Sequence, residues 1–596
     1  MNRLGTGKAR GRRSTGKVLL AGVLLAALSL APGSRARAIA EGADGARPPC
    51  DGTSEPIATA EGPVCGVVQR HDGAQAFAYL GIPFAAPPAG ERRWRNPAPP
   101  APRNGLFRAT EAGALCTQPG AAKGTFTGGE DCLYLNVWTP RTDARKALPV
   151  LVYLPGGGFV VGGGSLDSFN GTYLAGSGDV VVVTMNYRLG ALGFLRYLEG
   201  GSAIAGNFAI RDQMAAMQWV QKNIAAFGGD PTQVTLFGES AGAMSAGLHL
   251  FSIPESDAFF RAVIMESNVM SVPYADAAQA AARGAGFVDA LCRAANRTSD
   301  CPRDGAWLRS LPLETILQAE WAALPRGGMP GLLVNGMALG MLWAPTVGVP
   351  PIVGQADEGF HPGSSPKPYV FGINRNEGFF FVPTPGKFSE SLYLETLAQD
   401  FGAAAAQRIV NYEAGGTRPY DPASYEADPI SGMSPAAQAM AWVITDYAFG
   451  AGNLRSALAA WKQMEAAGEP IYGYYFTEVS NFSFTGLQRC SPQTGHVCHT
   501  DELPYVFHNL LEKSDGTFRP AQNVTPEETA LANAMSAAWI RFAKDPAGKD
   551  GGWGHPALRS VTEGPYTAWQ TPPATVNDLG TLLRYELWST ITPVAD

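Results

Sequence analysis

Charge is scarce in this sequence. Only 16% of its 596 residues are Asp, Glu, Lys or Arg, against 45% hydrophobic. Disorder of the bulk of the chain is excluded, because disorder needs low hydrophobicity and high charge. Histidine is scarcer still, seven in all, which leaves few candidates for a general base. The 71 glycines and 46 prolines carry no Gly-X-Y period, so a collagen-like chain is excluded and a loop-rich globular one remains. The cysteine spacings contain neither the CxxC nor the HxxxH arrangement of zinc sites.

What is present begins with an uneven charge distribution. Met1 to Ala38 holds eight Lys/Arg and no Asp/Glu, which leaves 37 basic against 52 acidic residues, a formal −15, for the remainder. Such a chain repels phosphate backbones, so nucleic acid is not an expected partner. The basic stretch Arg3–Lys17 precedes an apolar run, Val18 to Leu30, of 13 residues. A bilayer span needs about 20, so residues 1–38 read as a secretion signal rather than an anchor. Small residues at Ala36 and Ala38, or Ala38 and Ala40, offer cleavage sites. Arg12-Arg13 hints at twin-arginine export, although the following Ser-Thr-Gly matches poorly. The expected location is secreted or periplasmic.

Eight cysteines form four sequence-local couples: Cys50/Cys65, Cys116/Cys132, Cys292/Cys301 and Cys490/Cys498. An oxidising compartment favours disulfides, and neighbour pairing is expected because short loops close most easily. Asn170, Asn296, Asn481 and Asn523 head glycosylation sequons.

Residues 39–60 read as a mobile leader and 61–596 as one domain. Pro87–Arg103 is a Pro-rich surface loop. The runs Val150–Leu154, Val180–Met185, Val234–Phe237, Ala262–Met265 and Tyr369–Ile373 read as buried strands. Ile210–Ile224 and Thr529–Phe542 carry helical spacing, the second behind an acidic start. This alternation predicts an α/β fold with a mostly parallel sheet covered on both faces. Its chemistry is then expected in loops beyond the strands' carboxyl ends.

One such loop is Gly238-Glu239-Ser240-Ala241-Gly242, a G-x-S-x-G between the Val234–Phe237 strand and a helix-compatible stretch, Ala243–Leu250. In that setting a serine sits on a sharp turn where only small neighbours allow close approach. The competing reading is an ordinary turn in a glycine-rich chain. A second loop, Pro155-Gly156-Gly157-Gly158-Phe159, follows a strand. Consecutive glycines let backbone N–H groups converge, so Gly157, Gly158 and Ala241 are candidate oxyanion donors. A phosphate cradle would require a following Lys-Ser/Thr, which is absent. Where such a serine acts, the chain order is Ser, acid, His, which excludes His71 and leaves six histidines.

The chain resembles the type-B carboxylesterase and cholinesterase family. The matching segments are Glu130–Trp138 (EDCLYLNVW), Gly156–Phe159, Asn186-Tyr187-Arg188, Phe227–Pro231 (FGGDP) and Gly238–Gly242, within a likeness running from about residue 60 to about 590. The resemblance implies an α/β-hydrolase fold with long insertions. It implies Glu377, a Glu-Gly after a strand, as the acid. It implies His499, before Asp501–Phe507, as the base, with His496 the competitor. The activity implied is ester hydrolysis through an acyl-serine, with no metal or organic cofactor. The Cys116–Cys132 and Cys292–Cys301 pairings also follow from it, whereas the other two couples rest on proximity.

Departures from the family shape the substrate expectation. Cholinesterases carry a Trp in the loop matching Cys116–Cys132, where its ring binds quaternary ammonium. Here Phe126 is the only aromatic of that loop, so a small neutral ester is expected rather than a choline ester. Phe380 and Phe381 are expected to wall the pocket, with plain core packing the alternative. Pro155 replaces a His or Tyr, Gly348 stands where relatives have Asp-Gly, and Leu324–Leu342 is an apolar segment that reads as a buried helix or, alternatively, as a lid or acyl-pocket wall. Two other functions remain in view: a catalytically silent binding module, which this fold also supports, and a lipase acting at interfaces.

Overall fold

Strands rich in valine and tyrosine form the sheet that positions the rest of the chain. The computed structural model describes residues 56–120, 124–140, 147–201, 203–297, 299–323, 342–382, 388–548, 553–591 and 593. Eleven strands form the main sheet. In chain order they are β1 Val67–His71, β2 Ala74–Pro83, β3 Tyr134–Thr139, β4 Leu148–Leu154, β5 Val181–Met185, β6 Gly229–Glu239, β7 Ala262–Glu266, β8 Tyr369–Asn374, β9 Ile471–Phe476, β10 Tyr566–Trp569 and β11 Ala574–Val576. Their spatial order is β1-β2-β3-β5-β4-β6-β7-β8-β9-β10-β11. Every pair from β5 to β10 is parallel, and the edges are antiparallel.

The period of two decides how the sheet is buried. Along β4, Val150, Val152 and Leu154 enter one core while Leu151 and Tyr153 enter another; along β5, Val181 and Val183 oppose Val182 in the same way. The helices that cover the two faces are α1 Thr172–Gly178, α2 Phe208–Asn223, α3 Ala241–Phe251 and α4 Pro526–Lys544. Met214, Met217 and Val220 of α2 pack in the first core; Leu531, Met535 and Trp539 of α4 pack in the second. Thr525 caps α4 with a capping box to Glu528, and the helix begins at Pro526, within the expected acidic start.

The five expected strands and both helices are present within a few residues of their expected ends. The boundary of the leader is corrected. Ile57–Thr59 is a strand paired with Gly62–Val64, Ile57 is buried, and the Ala60 N–H donates to Asn223 Oδ1 at 2.8 Å. Apolar burial and this bond tie residues 57–60 to the body. The expected signal (1–38), the leader up to residue 55 and the apolar segment 324–341 lie outside the described residues. No helix among the described residues is long and apolar enough to cross a membrane.

Disulfides join Cys116–Cys132, Cys292–Cys301 and Cys490–Cys498. Cys65 is also disulfide-bonded; its expected partner, Cys50, lies outside the described residues.

Candidate active site

The distinctive sequence segments brace one region. Glu130 holds Arg93 through two hydrogen bonds of 2.6 Å. Asp212 holds Arg188 through two of 2.7 Å, both residues buried. The Tyr187 hydroxyl donates to the Pro155 carbonyl at 2.6 Å, and Gln118 exchanges two bonds of 2.9 Å with Gly162. The disulfide loop and the Asn-Tyr-Arg segment therefore fix both ends of the glycine-rich loop.

Ser240 lies between β6 and α3, with φ 56° and ψ −124°. Side chains other than glycine rarely occupy that conformation, and the surroundings must hold it there. The flanking glycines have no room for a side chain. A Cβ at Gly242 would lie 1.8 Å from the Leu154 carbonyl oxygen, and one at Gly238 would lie 2.6 Å from the Gly242 carbonyl carbon. The Ser240 N–H is engaged by the Glu266 carbonyl at 2.9 Å, so it is not a free donor. Ala241 is the first residue of α3, where N–H groups lack helical acceptors. Gly157 (φ 114°) and Gly158 (φ 61°) curve the second loop beside it.

Ser240, Gly157 and Gly158 line a cleft that is open to solvent. Gly156, Gly157, Gly158, Glu239, Ser240 and His499 form its polar floor, and Leu166, Phe169, Phe380, Phe381, Phe484 and Phe518 its apolar walls. Lys513 also lines it, with its ammonium 5.5 Å from the Phe518 ring centroid, and burial pushes its pKa down to about 8.

His499 arrives from the segment after the Cys490–Cys498 disulfide, and Glu377 from the turn after β8. His499 Nδ1 and Glu377 Oε2 are 2.6 Å apart, both residues buried. The other Glu377 oxygen accepts the Asn374 N–H at 2.7 Å. His499 Nε2 faces Glu239 Oε1 at 3.0 Å, outside hydrogen-bond geometry, and no hydrogen bond among the described residues joins it to Ser240. Bonds of this kind are often loose without substrate and tighten when it binds. The competitor His496 is directed elsewhere: its Nδ1 bonds the Arg489 carbonyl at 2.8 Å and its ring packs 4.1 Å from that of Phe379.

Phe380 and Phe381 wall the cleft and also pack on the imidazole, with ring centroids 5.6 and 5.0 Å from that of His499. Arg489 pins their segment by donating to the Phe379 and Phe380 carbonyls at 2.7 Å. A third ring, Phe449, lies 5.1 Å from His499 and comes from a π-helical stretch, Ile444–Ala451. The sequence offers no periodic signal for that stretch, and its role was not anticipated.

Three further carboxylates, Glu239, Glu266 and Glu502, are buried nearby. Glu239 is pushed well above the usual carboxylate range by burial and by Glu502, Glu377 and Glu266. Glu266 is raised by burial and Glu502, although it accepts the Trp539 N–H at 2.6 Å. Glu502 is pushed up to about 7 by burial and Glu377, while bonding Asn374 and the Ser267 hydroxyl. The signal was available in position: Glu239 adjoins the serine and Glu502 lies three residues beyond the histidine.

A serine on a strand-to-helix turn beyond a parallel sheet, in a cleft lined by the histidine of a buried His–Glu pair, defines an α/β-hydrolase. Known proteins narrow this. The sequence model of the carboxylesterase family matches residues 53–581. A fumonisin B1 esterase from Sphingopyxis macrogoltabida is 34% identical over 80% of each chain. An acetylcholinesterase from Danio rerio is 33% identical over 83% of this chain and 81% of its own. A solved PNB esterase superposes with a TM-score of 0.68 at 28% identity, covering 89% of this chain and 99% of that one. The chain belongs to the carboxylesterase family and is a serine carboxylic-ester hydrolase.

Proposed function

We propose that the protein is a secreted carboxylesterase that cleaves neutral esters through an acyl-Ser240 intermediate. The observation that carries this reading is the buried 2.6 Å pairing of His499 Nδ1 with Glu377 in the cleft that Ser240 enters. His499 Nε2 takes the Ser240 proton as the hydroxyl attacks the ester carbonyl, then returns it to the departing alkoxide. Glu377 fixes the tautomer and stabilises the imidazolium. Water deacylates the enzyme by the same steps in reverse. Gly157, Gly158 and Ala241 supply N–H groups to the oxyanion, each donor contributing about 3 kcal/mol in comparable sites.

The apolar walls favour an uncharged acyl or alcohol arm. The Cys116–Cys132 loop offers no Trp for a quaternary ammonium, so choline esters are poor substrates in this reading. Disulfides at three described couples support export to an oxidising compartment.

A p-nitrophenyl ester series of increasing chain length tests the assignment. Ser240→Ala is expected to lower kcat by at least about 10⁴-fold with unchanged circular dichroism, and an organophosphate probe is expected to label Ser240 in a peptide map. Activity that survives the substitution refutes the nucleophile.

A further inference from the structure

We infer that His71, Asp72 and His508 form a binding site for a divalent transition cation of the zinc class, outside the ester-cleaving cleft. The three donor atoms lie within 4.8 Å of one another. His508 Nδ1 stands 3.3 Å from Asp72 Oδ2, and His71 Nε2 stands 3.6 Å from the same oxygen. Bonds of about 2.1 Å in a tetrahedron give edges of about 3.4 Å, so the two measured edges bracket the spacing that zinc requires. Two imidazoles and a carboxylate are also the donor set that zinc accepts, with a fourth position left for water or the neighbouring His508 carbonyl.

The orientation of His508 supports the assignment independently. Its side chain is 3% exposed. Nε2 lies 3.0 Å from Asn533 Oδ1, an oxygen that also accepts the Tyr173 hydroxyl at 2.6 Å. An oxygen accepts only, so Nε2 carries a hydrogen, and in the neutral imidazole Nδ1 then presents a lone pair. That buried Nδ1 has no hydrogen-bond partner, yet it faces a carboxylate oxygen. Two lone pairs at that separation repel unless a proton or a metal cation lies between them, and titration with Zn²⁺ separates the two. The Tyr173 ring stacks on the imidazole at 3.6 Å and 10°, which fixes its plane. A ligating histidine with its other N–H held by an oxygen acceptor is the usual arrangement at metal sites. His71 Nε2 donates to the His508 carbonyl at 2.8 Å; moving that proton to Nδ1 frees Nε2 as a ligand and needs no net proton release.

The cation would tie two distant parts of the chain. His71 and Asp72 sit at the β1–β2 hairpin turn, and His508 follows the segment that bears His499. The next residue, Asn509, donates to the Ser168 and Asn170 carbonyls at 3.2 Å, and Ser168 lines the cleft. The site thus clamps the sheet's edge hairpin to the chain that supports one cleft wall. It is independent of the catalytic reading.

Untagged full-length protein, stripped with a chelator and dialysed, tests this by calorimetric titration with Zn²⁺ and by melting temperature. The expected result is one equivalent bound, with a melting temperature that rises with Zn²⁺ concentration and no response to Mg²⁺. His71→Ala and Asp72→Asn alter partly exposed side chains. Each is expected to weaken Zn²⁺ binding by at least about tenfold and to abolish the thermal shift, while p-nitrophenyl acetate hydrolysis in metal-free buffer is retained. Absence of saturable Zn²⁺ binding overturns the inference, leaving an ordinary Asp72–His508 ion pair. So does equal binding by the wild type and both variants, which would place the metal elsewhere.

Discussion

Ser240 occupies a backbone conformation that disfavours non-glycine residues by about 1–3 kcal/mol. The compensation comes from neighbours that leave the turn no alternative: the Glu266 carbonyl on its N–H and the closely packed glycines on either side. The imidazole is held with similar firmness. Glu377 bonds one nitrogen, and the rings of Phe380, Phe381 and Phe449 surround its faces. Phe380 both lines the cleft and packs against the imidazole. Phe380→Ala is expected to shift the preferred p-nitrophenyl ester toward a longer acyl chain, because removing the ring enlarges the cleft. It is also expected to lower kcat by loosening His499. An unchanged chain-length profile with unchanged kcat would show that the ring serves neither purpose.

At the scale of elements, the turn from β6 to α3 depends on clearance between this turn and β4. The missing side chain at Gly242 lets α3 start against the Leu154 carbonyl. A methyl group there would lie 1.8 Å from that oxygen, so backbone must move rather than a flexible side chain. Gly242→Ala is therefore expected to reduce soluble yield and to lower the urea midpoint of whatever protein folds. A comparable change at Gly73, whose Cβ would meet nothing within 4 Å but whose φ is 78°, is expected to be milder. Equal midpoints for wild type and Gly242→Ala would show that the elbow tolerates a side chain. The glycine-rich loop depends on a different support, since Gln118 and Tyr187 brace it from a disulfide loop and from the end of β5.

For the whole molecule, the main electrostatic feature is the group of buried carboxylates beneath the cleft. Glu502 is pushed up to about 7 from 4.5, and Glu239 and Glu266 are raised as well. The folded state holds these protons more tightly than the unfolded chain. Stability contributed through Glu502 is therefore greatest below about pH 4.5 and falls as pH rises toward about 7, beyond which its term is constant. The urea midpoint is expected to fall between about pH 5 and about pH 7.5, and Glu502→Gln, which cannot ionise, is expected to flatten that fall. An identical decline in the variant would exclude Glu502 as its source.

Much of this protein was legible before any coordinates. Runs such as Val181–Val183 have one stable use, as strands buried on both faces, and the G-x-S-x-G pattern marks a turn because its geometry admits few residues. Glu377 and His499 were legible only through family likeness. Local sequence cannot show that residues 122 positions apart meet at hydrogen-bond distance. The strand Ile57–Thr59 is not legible in the sequence, because three residues make too short a pattern to register. The sequence by itself determined the elements and the strand-to-helix turn at Ser240, since these follow from neighbouring side chains and backbone sterics. Tertiary structure alone decided that Phe449 flanks the imidazole, that Glu239, Glu266 and Glu502 share one buried space, and that His71 meets His508 across 437 positions. Proximity of that kind comes from sheet order and chain return, which no local spacing encodes.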